Sequence, residues 1–399
     1  MLSSRTHTPF KLLARLTSRR IFAGISCGLA VLVGVGILFG ASLKADTATT
    51  ASFQAESSTR SGVILVNDSS ASGDSAIQFG NSAAPVGTWW SGQSNAVNTK
   101  DGSFANWRGR QVEIAGNWAA TDTASNAINA VWWEIGAGDP NHSSYANIPR
   151  VDYASGALLD TGNETWAAAA SGAYDSRWTQ QLQQMKLAWA NRQPSNMFIR
   201  FAHEFNGNWY PWRVAPSDIN NFKTAWIRFA NLRNQYFPGA QLVWCPNAGS
   251  SYAYDIRSLY PGNQYVDVVS VDKYNNYPWV NDFASFTSEI NKTSNGGPMG
   301  LETYRQFALQ QGKPFAISEW SNDGNPAGEG NQGGGDSPNY IQYFHDWLSA
   351  NGSQTPQAGK ILYEILFNVT GYAGSEYSFF PLDAEAGNTL TANKYAELW

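Results

Sequence analysis

From residue 87 onward, short apolar and β-branched runs alternate with longer segments of helical character. Runs of this length bounded by Gly, Pro, Asn or Asp read as strands. They fall at 87–91, 111–115, 130–135, 197–202, 241–245, 266–271, 314–318 and 360–367. Helical periodicity marks 175–192, 218–235, 300–311 and 336–351. In the last of these, Asp336 or Ser337 can cap the first turn. Pro338 suits the first helical position, where its missing N–H leaves no bond unmade. Strands alternating with helices in this way predict a (β/α)8 (TIM) barrel over residues 85–399. The Gly-, Asp- and Asn-rich segment 136–174 reads as an insertion after the third strand, part of a cleft wall.

The first 45 residues follow a different pattern. Arg5, Lys11, Arg15, Arg19 and Arg20 precede an almost unbroken apolar run over 21–43. A basic flank followed by such a run reads as a signal peptide or a signal anchor. The expected location is therefore extracellular, secreted or held on the outer membrane face by residues 21–43. Segment 46–84 is rich in Ser, Thr, Ala, Asp and Gly and reads as a linker. Within it, residues 53–57 and 69–79 resemble the opening strands of a carbohydrate-binding β-sandwich, but they are too short to build one.

Charge narrows the partner. The chain carries 26 Lys and Arg against 31 Asp and Glu. Six of the basic residues and none of the acids lie in 1–45, so the remainder has a net charge of −11. That excludes a basic face for nucleic acid. Cys27 and Cys245 offer no disulfide framework beyond residue 45. With 17 Trp and 18 Tyr, several aromatic side chains are expected at exposed positions, where flat rings stack on sugars.

In a barrel of this kind, site residues come from the C-terminal ends of the strands. Glu204 ends the fourth run, Asn247 follows the fifth, and Asp272 and Tyr274 end the sixth with the same parity. Glu319 ends the seventh, and Glu364 and Asn368 lie on the eighth. Two carboxylates facing one cleft suit glycosidic cleavage: one protonates the leaving oxygen, and the other supports the oxocarbenium-like transition state. The acid must be protonated near neutral pH, through burial or a neighbouring negative charge. The other must stay ionised, helped by Arg200 and a Tyr hydroxyl.

The stretch Arg200-Phe-Ala-His203-Glu204-Phe-Asn-Gly207-Asn-Trp209-Tyr-Pro-Trp212 resembles the acid motif of glycoside hydrolase family 26. Residues 260–274 are similar to that family's sixth strand, 313–320 to its nucleophile strand and 334–338 to its seventh-helix entry. The resemblance implies endo-acting, retaining hydrolysis of a β-linked polysaccharide, with β-mannan, mixed-linkage β-glucan and β-xylan as the family's range. It implies Glu204 as acid/base and Glu319 as nucleophile. It also implies that His203 contacts sugar or orients Glu204, that Tyr274 and Arg200 hold the nucleophile, and that Trp209 stacks near the cleavage point. Pro211 and the Leu366-Phe367-Asn368 end of the eighth run depart from the mannanase form and weaken a mannan assignment, and the Trp-Tyr-Pro-Trp version looks more like the glucanase branch.

Other readings carry less. Asp272 reads as a hydrogen-bond holder, and Glu134 and Glu364 as structural or substrate-lining. His203-Glu204 is no zinc motif, because Gly207 stands where the second His is needed. Gly24-Ile-Ser26-Cys-Gly28 fits a nucleophile-elbow spacing but lies in the apolar run. No metal and no cofactor are expected. A polysaccharide is the expected partner, the membrane is touched only through the N-terminal segment, and the expected state is a monomer. Two alternatives remain: a non-catalytic glycan-binding barrel, and a hydrolase of the cell's own exopolysaccharide.

Overall fold

The computed structural model describes residues 63–67, 75–79, 89–131, 135 and 147–399, apart from 277–278, 281, 326–332, 372–375 and 381–386. Its centre is a closed barrel of eight strands: β1 (Trp90–Gln93), β2 (Ile114–Trp118), β3 (Arg150–Ser155), β4 (Met197–Phe201), β5 (Gln241–Trp244), β6 (Val268–Asn275), β7 (Phe315–Asn322) and β8 (Ile361–Leu366). Every neighbouring pair is parallel, and β8 closes on β1 through Tyr363↔Trp90 to Leu366↔Gln93. This is the expected (β/α)8 architecture.

The third strand is not where the apolar pattern put it. Val131 and Ile135 are helical and wholly buried, four residues apart on one helix face. The real strand, Arg150–Ser155, lies inside the segment read as an insertion. Its polar composition hid it: Asp152 and Ser155 are fully buried, so a position that reads as exposed on a simple scale is interior. The first strand also starts later than expected, at Trp90, and β2 runs on to Trp118. Glu134 lies outside the described residues.

Helices Asp175–Trp189, Ile219–Tyr236, Leu301–Gln310 and Pro338–Asn351 match the periodic segments. Ser337 makes no side-chain cap. Asp336 caps a different helix: its carboxylate accepts Leu390 N, Thr391 N and Thr391 Oγ1 at 2.7, 2.7 and 2.6 Å, at the start of Thr389–Leu398. The aromatic surplus goes mostly into the layer between barrel and helices, a correction to the expected sugar-facing role. Among the described residues ten Trp are buried, and Trp209 is the one Trp that is exposed, at 51%. Phe201 at the end of β4 meets Trp178 edge-on at 5.1 Å and stacks on Phe229 at 4.2 Å. That packing holds the strand that carries Arg200.

In the N-terminal part, Val63–Asn67 pairs antiparallel with Ser75–Phe79 as a single hairpin. Among the described residues no helix is long and apolar enough to cross a membrane, and residues 21–43 lie outside them.

Candidate active site

The C-terminal rim gathers Arg200, His203, Glu204, Trp209, Tyr274 and Glu319 into one site. Glu204 and Ala202 both have left-handed backbone, with φ of 53° and 55°. For residues with a Cβ this costs on the order of 1–3 kcal/mol each. Surrounding bonds hold the turn: Ala202 N donates to Ser155 O at 3.0 Å and Glu204 N to Cys245 O at 2.8 Å. The loop is also tied to the loop after β5. Asn206 Nδ2 donates to Asn247 O at 2.9 Å, and Asn247 N returns a bond to Asn206 Oδ1 at 2.8 Å.

The same loops orient the Glu204 carboxylate. Asn247 Nδ2 donates to Oε1 at 2.6 Å, and Trp209 Nε1 donates to Oε2 at 2.7 Å. The second bond needs Gly207, because a Cβ there would stand 2.4 Å from the Trp209 ring. Trp209 therefore grips the carboxylate with its N–H while half its surface stays open to solvent.

Glu319 is held from three sides. Arg200 NH1 and Trp118 Nε1 donate to Oε1 at 2.6 and 2.9 Å, and Tyr274 Oη donates to Oε2 at 2.6 Å. Arg200 is wholly buried and also bonds Asp152 Oδ1 at 2.7 Å and Asp272 Oδ2 at 3.2 Å. Burial alone would lower its pKa; Asp152, Glu319 and Asp272 outweigh that and raise it, so the guanidinium stays charged.

Carboxylate oxygens of Glu204, Asp272 and Glu319 all lie within 4.8 Å of one another. Arg200 already supplies a positive charge among them. Burial, and then the Glu319 charge, raise the Glu204 pKa to about 7. The two hydrogen bonds to Glu204 pull the other way. Burial followed by Glu319 also pushes Asp272 upward, and Cys245 Sγ sits 3.2 Å from Asp272 Oδ1. Burial, then Arg200, lowers His203 well below its usual value, so its imidazole is neutral. Among the described residues neither ring nitrogen of His203 has a hydrogen-bond partner, and the ring packs beside Tyr210 at 4.7 Å and Trp212 at 5.5 Å.

Two residues of the site escaped the sequence reading. Trp118 was out of view because the second strand was ended at 115, three residues short. Asp152 was hidden with the whole third strand. Glu364, by contrast, faces away from the cleft: Trp89, Trp320 and Trp399 all donate indole N–H bonds to it. Asn368 is fully buried and bonded to Gln93 and to the Phe379–Phe380 backbone.

A closed parallel barrel with paired carboxylates on its C-terminal rim defines the class to which this site belongs. Residues 116–306, just under half of the chain, match the family model described as glycosyl hydrolase family 26. It is 27% identical over 221 residues to Endoglucanase H of Acetivibrio thermocellus, covering 52% of this chain and 22% of that protein. It is 22% identical over 131 residues to a mannan endo-1,4-beta-mannosidase of Bifidobacterium adolescentis, covering 32% of this chain and 12% of that protein. The chain thus spans under a quarter of the length of either relative. Among solved structures, an endo-beta-1,4-mannanase double mutant from Cellulomonas fimi aligns with TM-score 0.53 at 16% identity, over 77% of this chain and 70% of that one. The catalytic domain of the Bacillus sp. JAMB-750 endo-beta-1,4-mannanase aligns with TM-score 0.51 at 16% identity, over 78% and 85%. At these identities the solved structures speak to the fold.

Proposed function

We propose that the barrel cleaves a β-linked polysaccharide internally with retention of configuration, Glu204 acting as acid/base and Glu319 as nucleophile. The observation that carries this is the asymmetry of two close carboxyls. One is raised to about 7 and so holds a proton near neutrality, while the other accepts a bond from a charged Arg. An oxygen of each lies within 4.8 Å of the other, a close approach that supports direct attack over the wider spacing of an inverting pair.

In the first step Glu319 attacks the anomeric carbon, the glycosidic C–O bond breaks, and the Glu204 proton passes to the departing oxygen. In the second step Glu204, now ionised, takes a proton from water. The water oxygen bonds to the anomeric carbon, and the ester bond to Glu319 breaks, which regenerates both groups. Arg200, Trp118 and Tyr274 stabilise the carboxylate as it leaves. Trp209, exposed beside the acid, stacks on the sugar next to the cleavage point.

The substrate class is β-mannan or mixed-linkage β-glucan. The likeness to an endoglucanase and the Pro211 and Phe367-Asn368 departures support the glucan side. The basic flank and apolar run of residues 1–45 support export, with the barrel outside the membrane.

The test is reducing-sugar release from β-glucan, glucomannan, mannan and xylan by the wild type, Glu204→Ala and Glu319→Ala. Hydrolysis by the wild type and its loss in both variants is expected. Full activity in either variant removes that residue's role, and glycan binding without hydrolysis by the wild type favours a binding barrel.

A further inference from the structure

The nucleophile strand is irregular where it matters. On β7, Ile317 stands opposite Val271 of β6, yet Glu319 stands opposite Asp272, the very next residue. Ser318 is therefore the extra residue of a β-bulge, a feature that re-aims side chains. Regular alternation would put Ser318 and Glu319 on opposite faces. Here both point inward: Ser318 Oγ bonds Asp152 and Glu319 bonds Arg200, while Trp320 bonds the outward-facing Glu364.

The bulge is pinned by buried side chains. Ser318 N, shifted out of the regular ladder, donates to Ser270 Oγ at 3.1 Å. The two Ser hydroxyls are 2.7 Å apart. Asp152 Oδ2 accepts Ser318 Oγ at 2.7 Å and Tyr363 Oη at 2.8 Å, while Oδ1 accepts Arg200 Nε at 2.7 Å. One carboxylate of β3 thus holds groups from β4, β7 and β8, and Asp152, Ser318, Ser270, Tyr363 and Arg200 are all shut off from solvent.

We propose that Asp152 is a positioning residue for the nucleophile: through Ser318 it locks the bulge that turns Glu319 into the cleft, and through Nε it aims Arg200 at the same carboxylate. This rests on Glu319 being the nucleophile. Fixing Arg200 Nε leaves NH1 to face Glu319, and fixing Ser318 sets the backbone one residue before it. Errors of about 1 Å in such a group cost on the order of a hundredfold in rate.

The test is steady-state kinetics and thermal melting of the full chain and its Ser318→Ala, Ser318→Thr, Asp152→Asn and Asp152→Asn/Ser318→Ala variants, on whichever β-glycan the wild type cleaves best. Ser318→Ala is expected to lower kcat about tenfold with KM within about twofold, and Asp152→Asn about a hundredfold. Ser318→Thr, which keeps the hydroxyl, recovers most of the loss. The double variant is no slower than Asp152→Asn, because both changes remove one linkage. Wild-type kcat in Ser318→Ala, equal losses in the Ala and Thr variants, or losses that multiply would overturn the proposal. If Asp152→Asn does not fold, the Ser318 pair decides alone. A wild type inactive on every β-glycan strikes the hydrolase reading itself, whereas unimpaired Ser318→Ala in an active enzyme strikes this inference only.

Discussion

Glu204 and Glu319 are the same residue type a few ångströms apart, yet they stand on different kinds of backbone. Glu204 occupies a left-handed turn beyond β4, steadied by two loops and by a half-exposed Trp209. Glu319 sits within a strand buried along its whole length, on a bulge fixed from below by Asp152 and faced by a charged Arg200. Glu204 has burial and the nearby Glu319 charge, which favour its protonated form against the pull of two neutral donors; Glu319 has a cation beside it. In the proposed mechanism, environment assigns opposite roles to identical side chains. The backbone difference follows the same logic: a group that must lose and regain a proton lies at the loop edge, and one that must hold an exact line of attack lies in the wall.

The comparison breaks most sharply at Arg200. Arg200→Met leaves Asp152, Asp272 and Glu319 without their shared cation. It is expected to lower kcat on the order of a thousandfold and to cost about 3–5 kcal/mol of stability, the range for breaking a buried ion pair. Wild-type turnover in a folded variant contradicts the account of the nucleophile side.

On the acid side the effect is a shift in pH dependence. Glu204 must be protonated for the first step, so kcat/KM is expected to fall as pH rises through about 7. Asn247→Ala and Trp209→Phe each remove a hydrogen bond that lowers the Glu204 pKa. The alkaline limb should therefore move to higher pH in both variants, alongside a lower maximum. A limb that stays put or moves to lower pH means that these bonds do not set the proton on Glu204.

The smallest expected effect is at Glu364, bonded by three indoles on the outer face of β8. Glu364→Gln turns one acceptor oxygen into a donor facing an N–H. It should cost about 1–3 kcal/mol, read as a lower Tm, with kcat per folded molecule unchanged. A kcat loss without a Tm loss would tie this residue to the site after all.

These contrasts also explain what could be read from the chain and what could not. Strands β4 to β8 and the helices around them were legible because their apolar residues repeat at the right period, and Glu204 and Glu319 were legible because they end such runs. Residues 130–135 misled for the same reason: a short apolar run has no period of its own, and Val131 and Ile135 suit a helix face as well as a strand. β3 was illegible because its inward position, Asp152, is charged in order to hold Arg200. Trp118 and the Ser318 bulge depend on register between strands, which no single segment encodes. Several aromatic residues were expected at the surface, yet most of the described Trp residues are buried, because a large ring gains more from full burial than a composition count can show.

The central claim, that Glu204 and Glu319 act as a retaining pair, is tested most directly by the configuration of the first product. Proton NMR of the reducing end, recorded during the first minutes of hydrolysis of the glycan cleaved fastest, should show the β-anomer ahead of mutarotation. An initial α-anomer would contradict attack by Glu319 and require a water between the carboxylates.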